Sequence, residues 1–131
     1  MPARDLFPTA QAKGCGIVVR VPLARGMLSG RFPPGAKFDE VTKRWPSEKE
    51  FLDYQRRADQ VRFLERPGRT LAQAALKFVI AHPAVSTCIP GVHSEAHVRE
   101  NLAALAAPPL TPEETAALAA LPVLPAEPEK A

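Results

Sequence analysis

The run Cys88-Ile89-Pro90-Gly91-Val92-His93-Ser94-Glu95-Ala96-His97-Val98-Arg99-Glu100-Asn101 constrains this chain more than any other. It reads as a buried strand, a tight turn and the start of a helix capped by Ser94. That order leaves backbone N–H groups and a positive dipole end where an anion can sit. Upstream, Val18-Val19-Arg20-Val21-Pro22-Leu23-Ala24-Arg25-Gly26-Met27-Leu28-Ser29-Gly30-Arg31 is a second strand running into a glycine-containing loop with a basic end. Two strand ends of this kind point to a phosphate-bearing ligand.

The remaining elements follow from punctuation and periodicity. Arg4 to Lys13 reads as a short helix offering Leu6, Phe7 and Ala10 to one face and ended by Gly14. Ile17 to Val21 is a strand closed by Pro22, and a long connection then runs from Leu23 to Pro46. Connections of that length are usually functional or mobile. Ser47 and Glu50, Thr70 and Gln73, and Thr111 and Glu114 have the spacing of capping boxes, the last with Pro112 at the first helical position. After the first box, Phe51, Tyr54, Ala58, Val61 and Leu64 continue at helical spacing until Pro67-Gly68. The second opens a helix with a stripe of Leu71, Ala74, Ala75, Phe78 and Val79. Ala84 to Ile89 is the second strand, and Val98, Leu102 and Leu105 are expected on the inner face of the helix that Ser94 caps. The last helix reaches about Leu121, so residues 1–121 form one folded unit and residues 122–131 a flexible proline-rich tail. Strands separated by helices indicate parallel pairing in an α/β layer.

Composition narrows the class without naming a function. The chain has 131 residues, 46% hydrophobic and 24% charged, which suits one modest core. Its net charge of +3 is scattered among acidic residues, so nucleic acid is not implied. The basic side chains between Glu48 and Glu65 alternate with Asp and Glu and read as a solvated face. Cys15 and Cys88 stand apart, with no histidine at metal-ligand spacing, which predicts no metal site and a reducing, cytoplasmic compartment. No apolar run approaches the roughly 20 residues that a membrane-spanning helix needs, and the N-terminus lacks the apolar stretch of a signal peptide.

Together, Leu6-Phe7-Pro8, Arg20-Val21-Pro22-Leu23, Thr70-Leu71-Ala72-Gln73-Ala74-Ala75-Leu76, Val85-Ser86-Thr87, Ile89-Pro90-Gly91 and Glu100-Asn101 resemble the C-terminal part of the aldo-keto reductases. These are (β/α)8 TIM-barrel oxidoreductases that use NADPH. The resemblance implies an α/β fold comprising about the last two barrel strands with their helices, Ile17 to Val21 being the seventh strand and Val85 to Ile89 the eighth. Ligands of such barrels gather at the C-terminal ends of the strands.

The resemblance also implies a set of cofactor-binding residues. Arg20 matches the position against the nicotinamide face, with Val21, Pro22 and Leu23 along the same wall. Gly26, Leu28, Gly30 and Arg31 match the loop passing over the pyrophosphate. Ile89 and Pro90 lead into Gly91, Val92, His93, Ser94 and His97, which match the segment receiving the adenosine 2′-phosphate, while Glu100 and Asn101 match the pair that binds adenine. Some members carry a lysine and an arginine where this chain has Gly91 and His97, so NADH stands beside NADPH as a cofactor.

The family's acid-base residues come from the first half of the barrel, and none has a counterpart here. Tyr54 and Lys77 fall in helices and match no catalytic position. The chain therefore reads as part of an NAD(P)H-dependent carbonyl reductase, binding a nicotinamide dinucleotide but carrying no catalytic residue, the small carbonyl substrate belonging to the longer parent. The alternative is a non-catalytic binding or assembly module that pairs its strand edges with itself or with a complementary fragment. Taken singly, Ile89 to Asn101 also fits an ordinary turn before a capped helix, Arg20 a structural ion pair, and Cys88 simple packing.

Overall fold

The computed structural model describes residues 2–39 and 45–122. The expected tail lies almost wholly outside that range. Helix α1 (Pro2–Ala12) leads to strand β1 (Ile17–Arg20), and α2 (Glu48–Gln60) and α3 (Leu71–Ile80) come before strand β2 (Val85–Ile89). Helices α4 (Glu95–Ala103) and α5 (Pro112–Ala120) follow. The two strands pair in parallel, and the helices between them supply the crossover that parallel neighbours need.

The ladder between them is irregular. Ile17 pairs with Val85, whereas Val18, Val19 and Arg20 pair with Thr87, Cys88 and Ile89. Ser86 is thus an extra residue on β2, a bulge, and its Oγ accepts the Ile17 backbone N–H at 3.1 Å. A Cβ on Gly16 would stand 3.2 Å from that oxygen, so the neighbouring position is left bare.

One face of the sheet is covered by helices. Leu23, Ala72, Leu76 and Ala104 form a buried cluster with Cys88 against it, and burial pushes the Cys88 thiol above its usual range. The opposite face is open: Val18 is 55% and Ile89 54% exposed. The expectation of a buried second strand is therefore corrected: Val85 and Cys88 are half-buried and Ser86, Thr87 and Ile89 exposed, because helices cover a single side of the described sheet.

Two further clusters anchor the rest. Met27, Phe32, Trp45, Phe51 and Ala58 pack together, with Phe32 and Trp45 each meeting the Phe51 ring edge-on. Leu64, Leu71 and Ala74 form the other, against which Leu110 and Leu118 bring the α5 region. That docking is reinforced by charge. The buried Arg69 donates through Nη2 to Glu114 Oε1 at 2.6 Å and to the Leu64 carbonyl, and through Nη1 to the Pro109 carbonyl, and Arg66 pairs with the same carboxylate. Burial, and then the neighbouring Arg66 charge, push the Arg69 guanidinium below its usual range.

The long connection is more ordered than its length suggested. It contains a 3-10 segment, Ala24–Ser29, kinked at Arg25 and Gly26, which both have positive φ (57° and 89°). Gln55 donates to the carbonyls of Pro33 and Ala36, and Arg62 to that of Phe32, so α2 and its end fasten the loop. Residues 40–44 lie outside the described range.

Three helix-face expectations are corrected. Helix α4 buries no side chain, and Val98, Leu102 and Leu105 are exposed rather than inward, because nothing among the described residues covers that side. On α3 the buried residues are Leu71, Ala72, Ala74 and Leu76, with Phe78 exposed; the helix packs on β2 on one side and α5 on the other, a wider arc than one stripe. On α1 Ala10 is buried but Leu6 is not.

Candidate functional site

The C-terminal ends of β1 and β2 open into one cleft of about 840 Å³. Parallel pairing brings Arg20 and Ile89 side by side at its floor. Val21 then turns the chain with φ 54°, a left-handed conformation uncommon for a β-branched residue, so that Pro22 and Leu23 run along the wall. Gly26 and Gly30 take the positive φ that the kinked loop requires, and Arg31 follows. From the other strand, Gly91, His93, His97, Glu100 and Asn101 complete the lining.

Four residues singled out from the sequence are placed elsewhere. Leu28 packs between two apolar clusters. Pro90 and Val92 belong to the turn without lining the cleft, and Val92 is exposed. Ser94 is the α4 N-cap, its Oγ accepting the His97 backbone N–H at 3.3 Å. Two lining residues escaped the sequence reading: Arg25 and Ser29. The adjoining Gly26 and Gly30 were the available signal, since a loop folding tightly back on itself brings the neighbours of its glycines to the same surface.

The cleft has two chemical halves. The β1 side carries three guanidinium groups: Arg20, Arg25 and Arg31. Arg25 Nη1 is 2.9 Å from Glu50 Oε1 and Arg31 lies over the Phe32 ring, while Arg20 has no partner among the described residues. The β2 side carries two imidazoles, a carboxylate and an amide: His93, His97, Glu100 and Asn101. Glu100 Oε1 accepts from the Thr70 hydroxyl at 3.1 Å, which ties the α4 wall to the start of α3. His97 Nδ1 accepts the His93 backbone N–H at 3.4 Å.

One donor in this wall is unanswered: Asn101 Nδ2 is buried with no hydrogen-bond partner among the described residues. Buried polar atoms are nearly always satisfied, so an orphan lining a cleft marks a place where a ligand atom fits. Cations on one side, with an amide donor and a carboxylate on the other, suit an elongated molecule with phosphates at its middle and a heteroaromatic base at one end. The residues present thus fit a dinucleotide. No group of three or more potential metal ligands exists among the described residues.

Known proteins agree with this architecture. The model of the aldo/keto reductase family matches residues 1–122. L-galactose dehydrogenase of Arabidopsis thaliana is 29% identical over 102 residues, which is 77% of this chain and 28% of that protein. An aldo-keto reductase from Bacillus halodurans in its holo form superposes with a TM-score of 0.64 at 32% identity, covering 90% of this chain and 37% of that one. A glycerol dehydrogenase from Gluconobacter oxydans reaches a TM-score of 0.70 over 98% of this chain and 42% of that one, and at 20% identity it speaks for the fold alone. This chain spans about a third of the length of the curated relatives that it matches. Its open two-stranded sheet and flanking helices are part of a (β/α)8 barrel, and the chain belongs to the aldo/keto reductase family.

Proposed function

We propose that this chain forms a cofactor-binding wall of an NAD(P)H-dependent carbonyl reductase, with NADPH as its cofactor and NADH as the alternative. The observation that carries this reading is the shared cleft: Arg20 at the end of one strand and His93, His97, Glu100 and Asn101 after the other line the same space. Bound reduced nicotinamide supplies a hydride to a carbonyl carbon. The residues here bind and orient. Arg20 offers a planar cation to the nicotinamide end, Arg31 and the glycine loop take the pyrophosphate, and Glu100 and Asn101 receive adenine. A proton donor for the carbonyl oxygen is expected from outside this chain, because Tyr54 packs against the aromatic cluster of α2 rather than lining the cleft. Cys15 and Cys88 are free thiols, consistent with a cytoplasmic setting. No helix among the described residues is long and apolar enough to cross a membrane.

Fluorescence titration with NADPH and NADH tests the reading. Saturable binding that weakens about tenfold or more in Arg20→Met is expected, the size of a lost charge-assisted contact. No saturable change in the unmodified protein would overturn it.

A second reading, an assembly module, draws on the bare sheet face at Val18 and Ile89. Each strand also keeps one edge with no strand partner among the described residues, and such edges invite pairing.

A further inference from the structure

The three capping boxes of this chain do not behave alike. At Thr70 and at Thr111 the box is closed: the cap hydroxyl accepts the third backbone N–H, and the side chain of Gln73 or Glu114 returns to the cap N–H. At Ser47 only the first half forms, with Ser47 Oγ accepting the Glu50 N–H at 3.2 Å. The Glu50 carboxylate, which has the right position to close the box, instead accepts from Arg25 Nη1 at 2.9 Å. Arg25 lines the cleft, and its side chain is 47% exposed. Its guanidinium also lies 5.8 Å from the Trp45 ring centroid.

These observations describe a carboxylate with two competing uses and a cation with two competing partners. We propose that Arg25 is an additional anion ligand of the cleft, held in reserve by Glu50. Pyrophosphate binding moves Arg25 from Glu50 to the ligand, and Glu50 then closes the α2 capping box on the Ser47 N–H. The exchange trades one partly exposed ion pair for a charge-assisted contact to phosphate plus a completed cap, so ligand binding and the order of the α2 N-terminus rise together. This inference rests on the dinucleotide reading, and it predicts a sign that a purely structural ion pair would not give.

The test is NADPH titration of the full chain and of Glu50→Gln, Arg25→Met and Glu48→Gln. Gln at the third helical position still closes a capping box, so Glu50→Gln keeps its helix start while loosening its hold on Arg25. Glu50→Gln is expected to bind NADPH about two- to fivefold more tightly, the size of a partly exposed ion pair. Arg25→Met is expected to bind about tenfold more weakly. Glu48→Gln removes the same charge from the same helix turn without touching Arg25, and it should leave affinity unchanged. In the unmodified protein, hydrogen exchange at the Ser47 amide should slow on NADPH binding. Equal or weaker binding by Glu50→Gln, equal tightening by Glu48→Gln, or an unprotected Ser47 amide would overturn the exchange while leaving the dinucleotide reading intact. Absence of saturable binding in the unmodified chain would overturn the reading itself.

Discussion

Arg69 shows how much a single side chain carries in this molecule. Its side chain is fully buried, and its charge is answered by Glu114 and by backbone carbonyls contributed from both sides of α3. Glu114 serves twice: one oxygen faces Arg69 and Arg66, and the other accepts the Thr111 N–H at 2.9 Å. Glu114→Gln keeps the cap but leaves a guanidinium buried without a counter-charge. It should lower unfolding stability by roughly 3 kcal/mol, read from the urea midpoint, because breaking one half of a buried pair strands the other half. A loss below roughly 1 kcal/mol, the scale of exposed pairs, would show that the carbonyls alone satisfy Arg69. Sequence gave no hint of this pair, since its members lie far apart along the chain and charged residues are ordinarily read as solvent-facing.

At the scale of elements, helix starts were the most legible feature, because a cap and its partner are written three residues apart. Ser47, Thr70, Ser94 and Thr111 all cap the helices expected of them. Helix faces were less legible. Spacing says which residues share a side, as Val98, Leu102 and Leu105 do, but whether anything covers that side depends on distant segments. The kinked 3-10 turn was missed because glycine marks a change of direction without saying what it becomes. Helix α5 makes a prediction of its own. Glu113 is held below the usual carboxylate range by the hydrogen bond from its own backbone N–H and then by the Thr111 hydroxyl. In acid the unfolded chain therefore takes up this proton first, so the stabilisation is complete at neutral pH. It is lost as the pH falls below about 4.3, the ordinary value for glutamate, toward the depressed folded value. The thermal midpoint should fall over that interval, and more shallowly in Glu113→Gln; parallel curves would refute the assignment.

For the molecule as a whole, the open face of the sheet is the least settled surface. If the chain assembles through it, sedimentation velocity should show association rising with concentration, and Val18→Lys should suppress it, as charges on exposed strands do elsewhere. A monomer at all concentrations would set the assembly reading aside. The cleft was largely legible because its walls come from two short runs that directly follow strands, so local order carried them together. Arg25 and Ser29 were not, since the turn that places them is set by packing against α2. The extra residue at Ser86 has one more effect. It shifts the phase of β2 by one step, which is why Ile89, and not Cys88, stands beside Arg20. Taken into the regular ladder, Ser86 would pair with Val18, turning the thiol to the ligand side and Ile89 toward the helices, so a single hydroxyl-bearing spacer, by standing out of register, decides which chemistry the mouth of the sheet presents.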